Sequence, residues 1–115
     1  MMTNKKILHI LELYEAILWR YHPIKAVDEE VLWNDEYSVF IPKRKDEALA
    51  HILAMVLQTR KLIEQGHKQE AMKWLGFIQG VLWLSGRFSL EKIKIHNRKY
   101  VRDENPEDFK DLLYQ

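Results

Sequence analysis

The sequence predicts an all-α fold, a small bundle of three long and two short helices in one domain spanning residues 1–115. Three observations predict it. Apolar residues recur at helical spacing through three long stretches. Residues that cap or stop helices stand at the ends of those stretches. The link between the second and third is too short to do anything but turn one helix back along the other.

The first helix is expected over residues 3–20, where His9, Glu12, Glu15 and Arg20 recur at helical spacing and Ile7, Leu8, Ile10, Leu11, Tyr14, Ile17 and Leu18 fill the other sides. Thr3 or Asn4 can accept from the free N–H groups of the first turn, and Pro23 closes the element. So wide an apolar surface implies contact with more than one neighbour. Residues 24–45 break the pattern with Pro42, the acids Asp28, Glu29 and Glu30, and the apolar runs around Trp33 and Phe40. They are expected to form a short β-hairpin about Asn34-Asp35 or an irregular insert, since compact domains rarely carry long structureless connections.

The second helix is expected over 46–65, ending at Gly66, because glycine enters the left-handed region without a Cβ penalty. The third, over 68–85, is polar at first and then apolar all round, from Trp74 to Leu84, and on that ground is expected at the centre of the bundle. Gly76 and Gly80, four apart within it, each cost about 1 kcal/mol relative to Ala, and close approach of a second backbone would compensate. Gln79 is the polar side chain this run must bury, and a buried amide without partners costs about 1–3 kcal/mol. It is expected to bond to a neighbouring helix, a symmetry mate or a ligand. A fourth, shorter helix starts after a Ser89 cap, and a fifth, over 106–114, is signalled by Asn105-Pro106-Glu107-Asp108.

Composition narrows the function. Apolar residues make up 47% and charged residues 30%, which is globular rather than disordered composition. Eighteen basic against seventeen acidic residues leave no general field towards nucleic acid or an anionic membrane. The longest uncharged run, residues 74–86, is thirteen residues, short of the roughly 18 a membrane span needs. The absence of cysteine removes disulfides, thiolate nucleophiles and thiolate metal sites, and a cytoplasmic protein is expected.

No catalytic or metal signature stands out, and no cofactor is expected. Glu12 and Glu15 form an E-x-x-E without the second acidic pair that magnesium-dependent helical pyrophosphatases need, so they read as a solvated face. The five histidines, His9, His22, His51, His67 and His96, show no i, i+4 ligand pair. Two basic clusters remain. Lys43, Arg44 and Lys45 join the aromatic residues Trp33, Tyr37 and Phe40 as candidate contacts to a protein partner, a mixture that dominates interface energetics. Arg87, His96, Asn97 and Arg98 are the candidates for a competing function, capture of a phosphate-containing small molecule such as a nucleotide signal. Asp103, Glu104, Glu107 and Asp108 follow closely and count against nucleic acid.

The segment A-M-K-W-L-G-F-I-Q-G-V-L-W over 71–83, followed by residues 87–91 and by His96-Asn97-Arg98, resembles a group of small uncharacterised proteins of tailed bacteriophages and prophages. The resemblance spans about 50 residues, from the second helix to Arg98. It implies a phage-type accessory protein acting in the bacterial host cytoplasm, where such proteins inhibit or redirect host proteins, defence systems included. The expectation is therefore a non-enzymatic interaction protein, a homo-oligomer with the glycines of the third helix at its centre, that binds a bacterial host protein.

Overall fold

A computed structural model of the chain describes residues 2–21 and 41–99, and they are all-α: α1 (Asn4–Tyr21), α2 (Lys45–Glu64), α3 (Lys68–Leu84) and α4 (Leu90–Lys99), with no strand among the described residues. The expected hairpin about Asn34-Asp35 and the expected fifth helix lie outside the described residues.

The helix ends follow from their sequences. The Thr3 hydroxyl accepts from the Lys6 N–H at 3.1 Å, and the Ser89 hydroxyl accepts from the Lys92 N–H at 3.1 Å, each satisfying a first-turn donor that has no helical partner. α2 and α3 both end in the same glycine motif. Gly66 and Gly86 take φ values of 85° and 80°, and the next N–H folds back to a carbonyl five residues earlier, His67 to Leu62 at 2.8 Å and Arg87 to Leu82 at 2.9 Å.

The core is built on α1. Ile7, Ile10, Leu11, Leu13, Tyr14, Ile17 and Leu18 are fully buried, and α1 touches α2, α3 and α4. The wide apolar surface of this helix is explained by that position, since a helix with three neighbours needs apolar residues around most of its circumference. α2 meets it with Leu49, Ile52, Leu53, Val56 and Ile63 and packs along α3 as its antiparallel neighbour. Thr59, buried in α2, donates its hydroxyl to the Met55 carbonyl at 2.6 Å. Glu15 and Arg60 tie α1 to α2 at the edge of the core through a 2.5 Å charge-assisted hydrogen bond. Glu15 thus holds an ion pair and is more than a solvated carboxylate.

The expected place of the third helix is corrected. α3 buries one side only, through Ala71, Leu75, Ile78, Gln79 and Leu82, and its other side stands in the open. Nor, among the described residues, does any backbone approach its glycines, because a Cβ placed on Gly76 or Gly80 would meet nothing within 4 Å. The run from Trp74 to Leu84 is apolar all round for two reasons. Half of it feeds the core, and half is apolar surface.

Candidate functional site

Two features stand apart from ordinary core and surface. The first is a cluster of polar side chains inside the molecule, where α1, α3 and α4 meet. Gln79 of α3 donates from Nε2 to the Tyr14 hydroxyl at 3.1 Å and to Asn97 Oδ1 at 2.7 Å, and its Oε1 accepts from Asn97 Nδ2 at 3.3 Å. The two amides therefore pair reciprocally, and both protons of the Gln79 amide are placed. With the Tyr14 oxygen accepting from Gln79, the phenol proton is directed to His96 Nδ1, 2.9 Å away. Neutral His96 then carries its own proton on Nε2, which is buried and has no hydrogen-bond partner among the described residues.

Apolar rings enclose this cluster. Phe88 meets His96 edge to face at a centroid distance of 4.8 Å and lies 5.9 Å from Tyr14, while the Arg87 guanidinium sits 5.0 Å from the centre of the Phe88 ring. Burial raises the Tyr14 hydroxyl above the ordinary phenol range, with the Gln79 hydrogen bond opposing it. Burial, reinforced by the charge of Lys92, lowers His96 to about 4. Tyr14 and His96 are both fully buried, and burial favours the neutral form of each at ordinary pH. What they do is hold α4 against α1 and α3 in one register, through hydrogen bonds that only that register satisfies.

The second feature is the outward side of α3. Met72, Lys73, Gly76, Phe77, Gly80, Trp83 and Leu84 share one face at helical spacing, and every one of them is exposed. Phe77 is 58% exposed, Trp83 48% and Leu84 79%. Gly76 and Gly80 lie in the same face, so two rings and a leucine stand beside two bare stretches of backbone. An apolar strip of this kind, carrying a single charge at Lys73, differs from the scattered surface hydrophobes of ordinary proteins.

The residues expected to bind fall as follows. Trp33, Tyr37 and Phe40 lie outside the described residues. Lys43, Arg44 and Lys45 are exposed at the start of α2, where Arg44 bonds to Glu47 at 3.1 Å and lies 3.4 Å from Asp46. Of the anion candidates, His96 and Asn97 turn inward into the polar cluster, Arg87 lies over Phe88, and Arg98 is exposed on the other side of α4. The four therefore do not converge on one anion. Gln79, by contrast, has the neighbouring-helix partners its position demanded. Tyr14 carried no polar signal, because in a stretch so rich in Ile and Leu its ring reads as core. Among the described residues no group of three or more His, Asp or Glu could hold a metal ion, the groove of about 510 Å³ beside Glu12, Glu15 and Glu64 included. No helix among them is long and apolar enough to cross a membrane.

Compared with known proteins, the chain matches no family model, no curated protein and no solved structure.

Proposed function

We propose that the protein is a non-enzymatic helical interaction protein, a phage-type accessory factor that works by docking another protein chain on the outward face of α3. One observation carries this reading. Phe77, Trp83 and Leu84 stand exposed beside two mid-helix glycines that no other described residue approaches. Exposing that much apolar surface is unfavourable at about 25 cal/mol per Å², and each glycine costs the helix about 1 kcal/mol. A second chain on that face would recover both terms, by covering the rings and by approaching the bare backbone.

The competing capture of a phosphate-containing molecule loses support, because His96 and Asn97 turn inward, His96 Nδ1 to Tyr14 and the Asn97 amide to Gln79, while Arg98 faces out. The proposed role keeps the bacterial cytoplasm as the place of action and a host protein as the target. Trp33, Tyr37, Phe40 and the Lys43, Arg44 and Lys45 cluster remain the proposed host contacts. A fold of five helices with an insert at 24–45 belongs to the same proposal.

The test is affinity capture from bacterial lysate containing an untagged copy of the chain, with Phe77→Glu and Trp33→Ala compared against the parent. Loss with Phe77→Glu of a chain that the parent retains, whether the untagged copy or a host protein, is the expected result. An identical set of captured proteins for the parent and Phe77→Glu would contradict the docking role of α3.

A further inference from the structure

We propose that the chain docked on α3 is a second copy of this protein, packed antiparallel about a two-fold axis that crosses the helix near residue 79. This inference rests on the reading of α3 as a docking face and names its occupant.

Spacing along α3 points to a self-match. In an antiparallel pair related by a two-fold axis, residue i of one helix lies opposite the residue equally far on the other side of the axis in its mate, so a surface fits itself only if each knob and its hole share one midpoint. Here they do. Phe77 and Gly80, Gly76 and Trp83, and Lys73 and Leu84 all have midpoints between residues 78 and 80. One rotation about a midpoint of about 78.5 therefore lays Phe77 on the partner's Gly80 and Lys73 opposite the partner's Leu84, and brings Trp83 within two residues of the partner's Gly76. The glycines, with nothing within 4 Å of an added Cβ, are the notches that receive the rings. A partner of unrelated sequence would not require knobs and holes of one helix to share a centre.

Charge agrees with this arrangement. α3 has an acid, Glu70, in its first turn and no basic residue in its last, so its carbonyl end lacks a cation from its own helix. The antiparallel mate supplies one, since Lys73 opposite the partner's Leu84 brings its ammonium to that end. A formal net charge of +1 sets little repulsion between copies.

Area agrees as well. The exposed parts of Phe77, Trp83, Leu84 and Met72 offer on the order of 400 Å² of apolar surface, and at the roughly 65% apolar content of homodimer interfaces this corresponds to about 600 Å² per copy, the lower edge of what specific complexes bury. A dimer with micromolar affinity is expected, one that dissociates on dilution.

The experiment is sedimentation of the full chain across the micromolar range, with Phe77→Glu and Gly80→Leu beside the parent. Both variants change exposed positions, so circular dichroism should report the same fold. The parent is expected to approach twice its 13.9 kDa mass as concentration rises. Phe77→Glu, which would bury a charge, is expected to weaken association at least about 100-fold, and Gly80→Leu, which fills the notch, at least about 10-fold. A parent that stays at a single mass, or a dimer indifferent to both substitutions, would overturn the two-fold pairing. The docking reading fails separately. A monomeric parent that still captures a host protein lost with Phe77→Glu would leave α3 a docking face with a different occupant.

Discussion

His96 shows what a single buried side chain does to the behaviour of the whole chain. In the unfolded state its imidazole titrates near the ordinary 6.5, whereas burial and the charge of Lys92 lower it to about 4 in the fold. Between those values the unfolded chain binds a proton that the folded chain does not, so acid favours unfolding. The stability held above pH 6.5 is expected to fall as pH drops towards 4, by roughly 3 kcal/mol in all. His51, also lowered by burial, adds to the same limb. Urea unfolding as a function of pH for the parent and for His96→Gln separates the two, and the variant should lose most of the slope; an unchanged slope would show that His96 is not its source. At this scale the sequence was half legible. Gln79 announced its need for partners by standing alone in an apolar run. His96 and Asn97 beside Arg98 read as a set for an anion, because adjacent polar residues look alike on paper. Helical phase separates them, since Ile93, His96 and Asn97 are three and four apart and turn inward together while Arg98 faces out.

For the elements, the local rules worked well. Thr3, Ser89, Gly66 and Gly86 fixed helix ends to within a residue or so, because capping is chemistry between near neighbours. The two glycines inside α3 carry a helix-propensity cost, and no close packing among the described residues compensates it. That observation makes a sharp prediction. Gly76 and Gly80 are helical and open, so Gly76→Ala and Gly80→Ala should each stabilise the monomer by about 0.5–1 kcal/mol, through better helix propensity and a less flexible unfolded chain. The same methyls would stand in the notches that receive Trp83 and Phe77. Denaturant melts at low concentration should therefore show the double variant more stable than the parent, while sedimentation shows it associating less. A variant that gains stability and associates as well as the parent would remove the glycines from the interface.

The whole molecule has its centre where composition did not point. A helix apolar on every side was expected to be central, and α3 matched that description better than α1, yet α1 is the element buried against three others. The reason is physical. Hydrophobicity measures how much surface must leave water, and it carries no information on whether the covering surface belongs to the same chain. α1 spends most of its apolar residues inside, with Trp19 the exposed exception among its large ones, and α3 divides its own between the core and a face pointing outward. The all-α class, the antiparallel pairing of α2 with α3 and the wide contact of α1 were readable, because periodicity and loop length are local. The division of α3 was not, since it depends on which side the rest of the chain covers.

The central claim is that this outward face is occupied by another protein chain when the protein is at work, and the most direct measurement is photo-crosslinking in bacterial cells. A benzophenone amino acid replaces Lys73, exposed on the rim of the face, or Lys94, exposed on α4, as the control. On illumination, position 73 should give a discrete adduct that position 94 does not, of twice the chain mass if the two-fold pairing holds and of another mass if the occupant is a host protein. Equal or absent adducts at the two positions would contradict the account.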